Sequence, residues 1–106
     1  MKFEYNGKEY TLEFNRATVT MAERAGFTMD DLDSKMMTRI PELFYYAFKM
    51  HHPDITKKET DEILFDGFGG LTNKEMIELG TLYAEPYKTL INKDGEEKNE
   101  RKVKML

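Results

Sequence analysis

The feature that most constrains this chain is the dipeptide Asn6-Gly7, set between two short alternating runs. A two-residue type I′ turn needs positive φ at both central positions, and Asn-Gly meets that need better than almost any other pair. Pairing about this turn sets Tyr5 against Lys8, Phe3 against Tyr10 and Met1 against Leu12. Side chains alternate along a strand, so these residues and Phe14 share one face, while Lys2, Glu4, Glu9, Thr11 and Glu13 share the other. The first fourteen residues therefore read as an amphipathic β-hairpin. A hairpin alone is marginal in water, so its apolar face must dock on helices or on another chain.

Four helices are predicted after it. Asn15 is placed as an N-cap for a helix through about Ala25, with Ala17, Met21 and Ala25 as its inward stripe, flanked by Val19 and Ala22, and Gly26 as its stop. Residues 28–33 read as a linker or a short turn. The second helix is expected from Met36 or Thr38 to His52, ended by Pro53, with Pro41 tolerated near its start. Ile40, Leu43, Phe44, Ala47 and His51 form its stripe. Met36, Met37, Tyr45, Tyr46, Phe48 and Met50 extend apolar character around the cylinder, as in a helix central to its domain or also used in an interface. Thr56 with Glu59, and Thr72 with Glu75, are capping boxes for the third and fourth helices. The third runs to about Asp66, with Thr60, Ile63 and Leu64 inward. The fourth carries Met76, Leu79, Tyr83, Tyr87 and Leu90 at helical spacing, with Pro86 expected to kink it.

After Ile91 the composition shifts. Residues 93–106 hold five basic and four acidic residues and no aromatic. Too little apolar surface remains there to offset the entropy of ordering, so this segment is expected to be a mobile tail. The fold class is α+β, mostly α: an N-terminal hairpin, about four helices in a small bundle, and a charged C-terminal tail, with residues 1–92 as one domain.

Composition narrows the function. The 106 residues contain no cysteine, which excludes disulfides, thiolate metal sites and a cysteine nucleophile. No apolar run approaches a membrane span, and residues 1–4 lack the apolar core of a signal peptide. The net charge of −4 is opposite to that of a typical non-specific nucleic-acid binder, so nucleic acid is not an expected partner.

Local motifs offer little chemistry. His51 and His52 are adjacent, so on a helix they diverge by about 100° instead of converging on a metal, and favourable charge at a helix end accounts for them. Gly67-Phe68-Gly69-Gly70 lacks the Gly-Lys-Ser/Thr of a phosphate loop, leaving a flexible turn with Phe68 as an anchor. Asp30, Asp31 and Asp33 lack the glycine and the closing glutamate of a calcium loop. Ser34, the lone serine, has no tie to His51. No enzyme activity, metal or cofactor is expected. The aromatic and methionine content of the second helix is the better lead. Most of it is core, but methionine repacks readily and aromatic residues dominate binding energy. Tyr45, Tyr46 and Lys49, on the outer side, are the candidate partner-binding residues.

The run Met1 to Tyr10, then Glu13-Phe14-Asn15-Arg16, Glu23-Arg24-Ala25-Gly26-Phe27, Ile40-Pro41-Glu42-Leu43-Phe44-Tyr45-Tyr46-Ala47-Phe48 and His51-His52-Pro53, resembles the small tail-assembly chaperones of long-tailed phages and prophages of Gram-positive bacteria. The likeness covers residues 1 to about 92. It implies a non-enzymatic protein that coats and solubilises the tape-measure protein and helps recruit tail-tube subunits. Such a protein works in the cytoplasm of the bacterial host and is absent from the mature virion. The family supplies no universal binding residues, so Tyr45, Tyr46 and Lys49 rest on the aromatic pattern alone. Self-association into a homo-oligomer is expected if the hairpin face and the second helix exceed what one core can cover. The alternative is a small regulatory or nucleic-acid-binding domain of a prophage or mobile element, supported by the helical segments around Gly67–Gly70 and by Arg101, Lys102 and Lys104. Its weakness is the fourth helix, where Lys74 and Lys88 are offset by Glu75, Glu78 and Glu85.

Overall fold

The computed structural model describes residues 1–91 and 102–106. Strands β1 (Lys2–Tyr5) and β2 (Lys8–Thr11) pair antiparallel, with Phe3 opposite Tyr10 and Tyr5 opposite Lys8. Asn6 and Gly7 have φ of 51° and 77°, as a type I′ turn requires. The Leu12 amide donates to the Met1 carbonyl at 2.8 Å, extending the ladder one step beyond the strands. Tyr10, Leu12 and Phe14 are buried, so the amphipathic face expected of the hairpin is the one that docks.

Helix α1 (Arg16–Arg24) begins at Asn15, whose side chain accepts from the Thr18 amide at 2.8 Å, while the Thr18 hydroxyl accepts from the Asn15 amide at 2.9 Å. Its buried residues are Thr18, Val19 and Ala22. This overturns the expected Ala17–Met21–Ala25 stripe, which faces outward. The reciprocal cap satisfies the Thr18 hydroxyl locally, so the side chain is buried without an unpaired polar atom.

Helix α2 (Met36–Phe48) holds Pro41 without breaking. Leu43, Phe44, Ala47 and Phe48 are its inward residues, all at 1% exposure or less. It ends four residues before the expected His52. The amides of Lys49 and His51 reach back three residues, to the carbonyls of Tyr46 and Phe48, so the chain tightens on approach to Pro53. His51 consequently falls off the helical stripe and is exposed.

Helix α3 (Lys57–Glu62) starts in the Thr56–Glu59 capping box and passes into a π-helical turn, Ile63–Gly67. The Phe68 amide bonds the Ile63 carbonyl at 2.8 Å, five residues back. The wider turn delivers the Phe68 ring between Phe3 and Phe44, at centroid distances of 4.8 and 5.7 Å. Phe68 is thus the anchor expected of that loop. Gly67 lies close under the Tyr5 ring: a Cβ there would sit 3.0 Å from it, so the ring would have to give by a few tenths of an ångström.

Helix α4 (Asn73–Ala84) begins in the Thr72–Glu75 capping box and becomes a 3₁₀ turn, Glu85–Thr89, where Pro86 removes a donor. Leu79 and Tyr83 enter the core, and Tyr87 and Leu90 remain exposed. The core is one cluster shared by the hairpin, α1, α2, α4 and the π-helical turn that follows α3, and includes Leu12, Leu43, Phe44, Phe48, Ile63 and Leu79. Of the expected tail, residues 93–101 lie outside the described residues. Residues 102–106 are irregular and exposed.

Candidate protein-binding surface

Tyr45, Tyr46 and Lys49 meet on the side of α2 away from its deepest contacts. Adjacent positions on a helix diverge by about 100°, and residues four apart stack one turn above another. Tyr45 and Tyr46 pack edge to face with ring centroids 4.9 Å apart, and the Lys49 ammonium lies 4.7 Å from the Tyr45 ring centroid. All three are half-buried. Tyr46 leans against the core, and burial pushes its hydroxyl above the usual phenol range, helped by Tyr45 and Glu42. Lys49 also donates to the carbonyls of Pro53 and Ile55, at 3.0 and 3.1 Å. It therefore ties the α2–α3 connection to the helix end. The trio forms an amphipathic ridge: ring faces for an apolar partner, phenol hydroxyls for hydrogen bonds, and a cation already partly engaged.

The two histidines act within the fold. His52 Nε2 accepts the Thr11 amide at 3.1 Å, and its ring lies 5.2 Å from that of Tyr10. Burial lowers its pKa below the usual imidazole value, with Lys8 and His51 adding to the effect. His51 Nε2 lies 2.7 Å from a Glu13 carboxylate oxygen. Helix-end charge is therefore not what accounts for His52: it is held neutral as an acceptor, and the pair ties the end of α2 to the hairpin. Among the described residues no three His, Asp or Glu side chains are grouped to hold a metal.

The aspartates separate in the same way. Asp31 accepts from Arg39 Nε at 2.7 Å and Nη2 at 3.3 Å, and Arg39 also reaches Glu42 at 2.7 Å. The hydrogen bonds from Arg39 hold the Asp31 carboxyl below the usual carboxylate range. This network ties the 28–35 connection to the first turns of α2. Ser34 donates to the Asp31 carbonyl and is not brought to a histidine.

Some surface features escaped the sequence reading. Met37 is 84% exposed and Ile77 70% exposed. A cleft of about 420 Å³ between α1 and α4 is lined by Phe27, Met29, Tyr83 and Tyr87, with Glu23 at its side. The Tyr87 hydroxyl donates to Glu23 at 2.6 Å across the two helices, which raises the phenol pKa well above its usual value. The signal for the outward face of α1 lay in its own cap: the Asn15–Thr18 box fixes which residues turn inward. Among the described residues no helix is long and apolar enough to cross a membrane.

A family model described as a domain of unknown function, DUF5055, matches residues 1–105. Neither curated proteins nor solved structures give a match.

Proposed function

We propose that this chain, which belongs to the DUF5055 family, is a tail-assembly chaperone of a long-tailed phage or prophage of Gram-positive bacteria. In this role it binds and solubilises the tape-measure protein, helps recruit tail-tube subunits, and performs no catalysis. It acts in the cytoplasm of the bacterial host and is absent from the mature virion. The resemblance of residues 1 to about 92 to such chaperones motivates the reading. The structural observation that supports it is apolar surface held outside a finished core. Leu12, Phe44, Phe48 and Leu79 are at 1% exposure or less, while Met36, Met37, Ile77, Leu90 and Ile91 each keep half or more of their side chains in water. A protein that captures an apolar client needs such side chains accessible without unfolding, and methionine and tyrosine suit varied partners. The same surface favours self-association of the free protein.

The test is co-expression with the tape-measure protein, reading its soluble fraction. The wild-type chain should raise that fraction, and Tyr45→Ala with Tyr46→Ala should lower capture while circular dichroism stays near wild type. A tape-measure protein that is equally insoluble with or without the chain defeats the chaperone reading. A double variant that folds and still solubilises its client moves the client site away from α2, and one that unfolds assigns both tyrosines to the core.

A further inference from the structure

Helix α1 turns a basic and apolar face to solvent that the core does not use. Arg16, Thr20 and Arg24 stand one turn apart in one row, with Ala17 and Met21 in the row beside them. These five residues line an open trough that contains no carboxylate. Glu23, the only acidic residue of α1, borders this face: it stands seven positions, about two turns, from Arg16 and lines the adjoining cleft with Arg16 and Thr20, where its carboxylate accepts from the Tyr87 hydroxyl at 2.6 Å. The chain carries a net charge of −4, yet this face sets two arginines against that one carboxylate.

Helix stability does not explain Arg16. A cation in the first turn opposes the helix dipole. Helices α3 and α4 place Glu59 and Glu75 there, whereas α1 has no acidic residue in its first turn. Neither Arg16 nor Arg24 forms an ion pair among the described residues, and both are exposed.

We propose that the outer face of α1 docks an acidic amphipathic helix of a partner protein. Ala17 and Met21 receive apolar anchors spaced three or four residues apart, as in other helix-on-surface contacts. Arg16 and Arg24 pair with carboxylates flanking those anchors, where the planar guanidinium gives directional, paired hydrogen bonds. The arginines are eight positions apart, about 12 Å at 1.5 Å per residue, so the carboxylates they meet lie about two helical turns apart on the partner. The apolar row beside the arginines favours a protein helix over a phosphate backbone, which has nothing to place there. This contact is separate from the α2 ridge and does not depend on the tail-assembly role.

The test is fluorescence anisotropy on the full chain at low salt. The probes are a labelled helical peptide with a leucine stripe flanked by glutamates, the same peptide with lysines for glutamates, and a labelled DNA duplex. The glutamate peptide should bind saturably and about tenfold or more tighter than the lysine peptide, with affinity falling as salt rises. Arg16→Glu with Arg24→Glu should reverse the preference between the two peptides, while circular dichroism shows the same helix content. The reversal separates a lost contact from a damaged fold, because a damaged fold gains no affinity for the lysine peptide. Equal binding of both peptides, a preference unchanged in the double variant, or tighter binding of DNA through the same arginines overturns the assignment. So does self-association that the double variant abolishes, because the occupant is then a second copy.

Discussion

Helices α1 and α2 pack against each other, yet they use their apolar residues in opposite ways. Helix α2, thirteen residues long, is enclosed along its second half. The hairpin covers it through Phe3 and Tyr10, which lie 6.1 and 5.6 Å from the Phe48 ring, and through the Glu13 amide, which bonds the Ala47 carbonyl at 2.9 Å. Phe68 closes over Phe44 from the α3 side. Helix α1, nine residues long, buries only three small residues and leaves Ala17 and Met21 outside. A helix with apolar residues on most sides is claimed by several neighbours, whereas a short helix with one narrow small-residue stripe serves as an edge. The outer faces of the two helices therefore differ in kind: α2 presents a half-buried aromatic ridge, and α1 a solvated basic one.

The comparison breaks most decisively at Phe48. Its side chain is fully buried and touches Phe3, Tyr10 and Phe44. Phe48→Ala removes both the transfer free energy of the ring and the contacts around it, a loss of about 3–5 kcal/mol. Urea denaturation should show the midpoint falling sharply, or no folded baseline at all, since small domains have only about 5–15 kcal/mol in total. A loss under about 1 kcal/mol would show that the hairpin does not cover α2 as described.

A smaller effect tests how the end of α2 is held. His52 is neutral in the fold because Nε2 accepts the Thr11 amide, and its pKa is lowered, first by burial. The unfolded chain therefore binds the proton more readily, and stability rises with pH. The contribution is fully present above the ordinary imidazole pKa of about 6.5 and is lost as pH falls through the lower folded-state value. Urea midpoints measured between pH 7.5 and pH 5 should decline for the wild type. His52→Gln, whose amide oxygen can still accept from Thr11 but does not titrate, should flatten that decline. His52→Leu should cost about 1–3 kcal/mol at neutral pH, because it strands the Thr11 amide. An unchanged pH slope in His52→Gln would assign the decline to other groups.

These two positions also mark where sequence reading succeeds and where it stops. The hairpin register, the N-cap at Asn15, the capping boxes at Thr56 and Thr72, and the break at Pro86 were legible because each depends on residues within a few positions of one another. The pairing of His52 with Thr11 spans 41 positions and has no local signature, so the histidines read as helix-end charge. The bonds of Asp31 to Arg39 reach out of an irregular connection and were missed for the same reason. The inward face of α1 was misread by hydropathy, which ranks Met21 above Thr18 and takes no account of a hydroxyl already bonded within its own cap. On the outer side of α2, Tyr45, Tyr46 and Lys49 lie together as their spacing implies. What spacing could not supply was the engagement of Lys49 by the carbonyls of Pro53 and Ile55.

The smallest effect is the sharpest test of the contrast between the helices. Met21 was expected to be core and is instead 45% exposed on the outer face of α1. Two opposing terms act on Met21→Ala. The variant gives up the part of the side chain that rests on the helix surface, and it gains slightly in helix propensity because alanine is the best helix former. The sum should lie within about 0.5 kcal/mol of zero, as for surface substitutions away from special features. Denaturation of Met21→Ala beside Ala22→Leu makes the reading directional. Ala22 is 1% exposed, so a larger side chain there has no room and should cost about 1–3 kcal/mol by overpacking. Two neighbouring positions would then respond in opposite ways, one tolerant of truncation and one intolerant of growth. A large loss from Met21→Ala together with a tolerated Ala22→Leu would rotate α1 back to the orientation that hydropathy alone suggests, and the basic face would no longer be available to a partner.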